Sequence, residues 1–215
     1  MVEHCRHQTS KNFPQHHVKS IVQDFAVPFT MFRPEISDLE GKVDLIISNY
    51  ALHWILPNDR SNAITSIKRL LSPRGMAFIN VSLLPSLLEV CNSAEERERL
   101  ESVLDFPSFQ MQEVTWRRGF EMANFSQLQV ACLPLSWTFE TRQEFLFLMK
   151  IRKVFMVHVK ASYTGSIDLN SIFQMIEELC VRYQTQCHEM AVGKLSNPDE
   201  VRSVYYRCVA ITAMK

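Results

Sequence analysis

An α/β layered sheet is the fold class this sequence predicts, on three features of its N-terminal half. Lys42 to Asn49 (KVDLIISN) is a nearly continuous apolar run, as expected of a strand buried on both faces of a parallel sheet. After Pro57, with Asn58 or Asp59 as cap, Ile64, Ile67, Leu70 and Leu71 recur at helical spacing until Pro73-Arg74-Gly75 interrupts them. Met76 to Leu84 (MAFINVSLL) then reads as a second strand. Strand, helix and strand with short connections make a right-handed crossover unit.

The remaining elements follow in order. Val18 to Phe25 (VKSIVQDF) is a short β-branched run that reads as a strand preceding the crossover. Ala94 to Leu104 is a charged, solvated helix, and Met111 to Asn124 a weaker one. Leu128 to Phe139 reads as a strand, and Thr141 to Val157 places Phe145, Leu148, Met149 and Arg152 at helical spacing. Ser166 to Met190 is a long amphipathic helix with Asp168 or Ser166 as its cap. Val201 to Met214 alternates like a final strand, and this C-terminal pair supplies the antiparallel edge of a mixed sheet. No repeat, low-complexity run or long linker divides residues 1–215, so one domain is expected.

Composition removes several function classes. Lys plus Arg and Asp plus Glu both number 23, and this balance gives no electrostatic footprint for nucleic acid or an anionic membrane. Phe145 to Val159, the longest apolar stretch, is broken by Lys150, Arg152, Lys153 and His158 and cannot span a bilayer. The six cysteines form no C-x-x-C pair and the first residues carry no apolar leader, which predicts a reduced, cytoplasmic chain. Only five residues are glycine, and none lie close together. A Rossmann fingerprint, a P-loop and a G-x-S-x-G elbow all need such clusters, because glycine alone lets backbone approach a ligand at positive φ. His4, Cys5, His7, His16 and His17 lack the paired ligand spacing of a zinc site, so no metal is expected.

The segment Val43 to Ile55 (VDLIISNYALHWI), with the helix after it and then LLSPRGMAFINV, resembles a class I S-adenosylmethionine-dependent methyltransferase. The family pattern, D-L-I-x-S-N-x-x-L-H-W followed by L-L-x-P-G-G, is matched by Asp44, Leu45, Ser48, Asn49, Leu52, His53, Trp54, Leu70, Leu71, Pro73 and Gly75. Arg74 stands where the family usually has its first glycine. The His-Trp pair and a helical insertion after the fifth family strand are most similar to the juvenile hormone acid methyltransferase group, which methylates carboxylates of small apolar acids. The resemblance implies a Rossmann-like sheet in which Val18 to Phe25, Lys42 to Asn49 and Met76 to Leu84 are the third, fourth and fifth family strands.

The departures from the family are as informative. Its glycine-rich first loop, which wraps the cofactor, and the acidic residue that holds the ribose hydroxyls have no counterpart here. Met1 to His7 looks like the helix after the second family strand. A chain beginning there starts about 60 residues into the domain, the length of a βαβ unit of ~30 or more residues with its preceding helix. Met1 then reads as an internal methionine of a longer protein, or as the start of a truncated isoform that acts only through protein contacts.

By the resemblance, S-adenosylmethionine is the cofactor of the complete domain and a small carboxylic acid its substrate. Asp24 and Phe25 would flank the adenine, Asp24 accepting its amino group, although an aspartate ending a strand also serves turns. Asn49 sits where a parallel strand opens into the ligand crevice, and Tyr50 and Ala51 would meet the methionine end through their backbone. His53 and Trp54 present N–H donors to an acceptor-only carboxylate; the competing structural reading is core packing for Trp54 and a turn cap for His53. Phe145, Phe147, Met149, Phe155, Met156, Phe173 and Met175 are the pool from which an apolar acid cavity could be lined. Methylating an ionised carboxylate needs no general base, so no catalytic residue is expected.

Overall fold

A computed structural model of the chain describes residues 19–83, 85, 87–105, 107–149, 169–193 and 201–215. The N-terminal histidine and cysteine cluster, the caps at Ser166 and Asp168, and Phe155 and Met156 lie outside these residues. The sheet has four strands, β1 (Val43–Asn49), β2 (Leu71–Leu83), β3 (Gln127–Thr138) and β4 (Ser203–Met214), in the order β1-β2-β4-β3. β1 and β2 are parallel, while β4 runs antiparallel to both β2 and β3. The antiparallel strand of the C-terminal pair is β4, but it is not the expected edge: it lies between β2 and β3, which run the same way, and β3 takes the edge.

After the one-turn helix α1 (Pro34–Ser37), the β1-to-β2 crossover is carried by α2 (Arg60–Leu70). Its buried stripe of Ala63, Ile64, Ile67 and Leu70 is the one the sequence spacing marks. Asp59 occupies the cap position without a side-chain cap bond. Pro73-Arg74-Gly75 does not end in a loop: β2 begins at Leu71 and runs through it, with the β1 register slipping between Val43 and Leu45. Two residues of β1 thus face a longer span of β2, which is how a bulge absorbs a proline and a glycine in a strand.

Two further helices follow β2, α3 (Ala94–Val103) and α4 (Phe109–Met122). Ser93 caps α3 by accepting from the Glu96 N–H, and the Glu96 carboxylate returns to the Asn92 N–H. Each satisfies an amide that a helix start leaves open. Ser108 caps α4 in the same way through Met111. Between β3 and β4 lie α5 (Arg142–Met149) and α6 (Leu169–Val192).

One sheet face is packed. Ala77, Ile79, Val81, Val209, Ile211 and Ala213 meet Ile64 and Ile67 of α2 and Trp116 and Phe120 of α4 in the main core. A second core joins α3 to α6 through Leu100, Val103, Ile172, Ile176 and Leu179, pinned at its edge by the Arg182–Glu96 pair at 3.1 Å. The opposite sheet face is bare near β1: Leu45, Ile47 and Phe78 are 51%, 70% and 41% exposed. β1 is also an edge strand, paired only to β2 among the described residues.

The expected strand at Val18 to Phe25 is not formed over the described part: residues 19–24 have no regular structure, and 25–27 bend. A β-branched run becomes a strand only when a neighbour takes its ladder bonds, and no described strand lies beside it. Its apolar residues pack instead as side chains. Phe25 and Val27 join Phe29, Phe32 and Leu70 in a small cluster under the start of β1.

Candidate functional site

The carboxyl ends of β1, β2 and β3 and the start of β4 converge on one end of the sheet, since Asn49 pairs with Asn80, Leu83 with Arg207 and Trp137 with Val204. A cavity of about 400 Å³ opens there, with Met149 of α5 and Cys180, Tyr183 and Gln184 of α6 among its walls. Open α/β sheets bind ligands at this end, where loops leave the strands. The volume lies near the lower bound of the ~300–1,000 Å³ typical of small-molecule sites.

Tyr50 ends β1 in a left-handed conformation, φ 51°, which is rare for a residue with a Cβ and swings the chain sharply out of the strand. Its N–H donates to the Asn80 carbonyl at 2.9 Å, tying the turn to β2. A single helical turn, Leu52–Trp54, follows and buries Leu52 as its peg. That peg fixes His53 and Trp54 at the cavity wall, their rings 5.2 Å apart.

His53 is neutral at physiological pH. Burial, helped by the Arg60 guanidinium, pushes its pKa down to about 4. Its Nδ1 is buried and has no hydrogen-bond partner among the described residues. A buried imidazole nitrogen without a partner is a vacancy that a ligand can fill. Arg60 is held by its Nε bond to the Ile55 carbonyl at 3.2 Å and by stacking over Trp116 at 4.6 Å. Burial lowers its pKa to about 10, so it remains a cation behind His53.

The sequence-predicted residues divide into two groups. Tyr50, His53 and Trp54 line the cavity together. Asn49, Ala51, Asp24 and Phe25 do not line it. Asn49 accepts from the Asn80 amide at 3.0 Å. Asp24 accepts from the Ala26 N–H at 2.8 Å, the turn-capping contact open to any aspartate at a chain bend. Ala51 is exposed, and Phe25 packs on the small cluster. Of the apolar pool, Met149 lines the cavity, while Phe145 is fully buried core and Phe147 is exposed. Trp137, Tyr183, Tyr205 and Tyr206 also line it without having been singled out. The tandem tyrosines in an otherwise aliphatic strand were the available signal.

The family model described as "Methyltransferase domain" matches residues 1–79, which hold the whole of β1, its following turn and most of β2. Curated proteins give no match to this chain. Among solved structures, a Bacillus halodurans protein described as a methyltransferase aligns with 100% of this chain and 78% of its own, at 12% identity and a TM-score of 0.53. The YcgJ protein of Bacillus subtilis aligns over the same shares at 13% identity and a TM-score of 0.54. At such identities these two show the fold. Residues 1–79 therefore resemble a methyltransferase domain, and the fold over the whole length is that of the two Bacillus proteins, a Rossmann-like α/β sheet.

Proposed function

We propose that the protein methylates a carboxylate oxygen of a small apolar acid, with S-adenosylmethionine as the methyl donor. The observation that carries this reading is the composition of one cavity. An apolar chamber at the carboxyl end of the sheet bears an unpartnered His53 Nδ1 and the Trp54 indole at its wall, with the Arg60 cation behind them. Burial keeps His53 uncharged, and the Arg60 cation, the lesser cause of that shift, favours an anion beside it.

S-adenosylmethionine would lie along the β1 end, with Asn49, Tyr50 and Ala51 as candidate contacts to its methionine part and Asp24 and Phe25 as candidate adenine contacts. The flank beyond β1 has no described counterpart, because β1 is the sheet edge, whereas a Rossmann-type crevice lies between two diverging strands. Of the described glycines none stands in the crevice: Gly41 and Gly75 lie at the amino ends of β1 and β2. When bound, the cofactor supplies an electrophilic methyl group on sulfur.

The chain's own part is to orient and to dry. A carboxylic acid is ionised at neutral pH, so no proton need be removed before it acts as nucleophile. His53 and Trp54 donate to one carboxylate oxygen and leave a lone pair of the other free, while the apolar walls exclude water. Holding nucleophile and electrophile in line in this way supplies ~7–11 kcal/mol of the barrier.

The test is methyl transfer by the purified chain at saturating radiolabelled cofactor, with octanoic, dodecanoic and benzoic acids and with matched amines and alcohols. Labelled methyl ester from an apolar acid supports the reading. Labelled amine or ether with no ester overturns it.

A further inference from the structure

The Tyr50 and Tyr206 rings meet edge-on in the cavity, centroids 6.1 Å apart, with their hydroxyl oxygens 3.4 Å apart. That separation is long beside the ~2.5–3.0 Å of a strong O–H···O bond, so the bond between the two hydroxyls is weak and an acceptor arriving beside them can take both protons. Each has a proton to give. The remaining group at hand is the Cys208 thiol, which burial keeps protonated and which is a weak acceptor. No Lys, Arg, Asp or Glu lines the cavity with them.

We propose that the Tyr50–Tyr206 hydroxyl pair is a specificity-determining anchor that holds the substrate's acceptor-only head group by two converging O–H donors. This rests on the acid-methylating reading of the same cavity and adds the residues that select the head group. Two hydroxyls at this spacing can each donate to one carboxylate, or both to one carbonyl oxygen. Burial and the neighbouring hydroxyl hold the Tyr50 phenol well above its ordinary pKa, so it stays a donor throughout the physiological range.

Trp54 and Trp137 line the cavity, so ligand binding reads out as intrinsic fluorescence. The probes are octanoate and octanol, titrated into the whole chain and into Tyr50→Phe and Tyr206→Phe, with thermal melting to check folding. Octanoate should bind the unaltered chain, and each variant should bind it roughly tenfold more weakly, the loss of about one hydrogen bond to a charged group. Octanol should change far less. With ¹³C-carboxyl octanoate, the bound resonance should shift from the free position in the unaltered chain and move back in either variant, so one folded variant suffices. Octanoate binding undiminished in both variants, or in the one that folds, overturns the anchor and leaves the acid-methylating reading standing. Octanoate failing to bind the unaltered chain overturns both.

Discussion

His53 is the residue whose chemistry changes most on folding. Its pKa falls from 6.5 to about 4 through burial first and the Arg60 charge second. The unfolded chain therefore binds a proton on this side chain between those values and the folded chain does not, so stability from this site is complete above pH 6.5 and declines as pH falls toward 4. His53→Gln should remove that part of the decline: the melting-temperature difference between variant and unaltered chain, followed from pH 7.5 to 4, should move in the variant's favour at low pH. Parallel pH curves would return His53 to an ordinary exposed histidine. At Trp54, 43% exposed, replacement by Phe keeps most of the packing and deletes the indole donor. If that donor orients the carboxylate, kcat/KM for the best acid should fall roughly ten- to a hundredfold, the ~1.5–3 kcal/mol of one bond to a charged group. This residue pair was legible in sequence because it follows the β1 run directly. Tyr206 was not, because which face of an alternating strand meets a cavity is settled by the helices laid against it, here α5 and α6 from a distant part of the chain.

At the scale of elements, periodicity located α2 and β4 because burial enforces it: α2 shows its buried stripe at Ile64 and Ile67, and β4 falls within a few residues of its alternating run. β1 lies where its apolar run marks it, but the burial on both faces expected of it is not found, because it is the edge of the described sheet. Two expectations went astray for the same reason, that backbone pairing is a tertiary matter. Val18 to Phe25 had the composition of a strand and no neighbour to pair with, while Leu71 to Gly75 had the punctuation of a loop and a neighbour waiting in β1. Gly75 is what lets β2 pass there. A Cβ on it would sit 2.6 Å from the Val43 carbonyl oxygen, which is backbone and cannot swing aside. Gly75→Ala should therefore cost ~1–3 kcal/mol, read as a lower urea midpoint at unchanged slope. Arg74→Gly beside it should be close to neutral or mildly destabilising, since Arg74 is exposed. Equal tolerance at both positions would show that the bulge relaxes freely.

At the scale of the whole molecule, the described sheet has one finished side and one unfinished. The β1 edge and the bare Leu45, Ile47 and Phe78 face are contiguous, and an unpaired apolar edge is the surface that natural sheets cover or charge. Ile47→Lys, at the most exposed of the three, should leave the melting temperature nearly unchanged and lower the association seen by sedimentation velocity at rising concentration. The same open edge governs the cofactor. The described residues present neither a glycine loop nor an acid for the ribose, and the contacts proposed for Asn49, Tyr50, Ala51 and Asp24 do not replace them. One charge-assisted bond to such an acid is worth ~1.5–3 kcal/mol, so its absence alone weakens binding more than tenfold. Calorimetric titration of this chain with S-adenosylmethionine should accordingly show weak binding, far above the micromolar range. Octanoate binding should be indifferent to this deficit, because its cavity is lined by Tyr50, His53 and Trp54 after β1 and by residues of β2, β3, β4, α5 and α6, and needs neither a glycine loop nor a ribose acid. Low-micromolar cofactor affinity would mean that residues outside the described set close the crevice, and the unfinished side would then be finished within this chain.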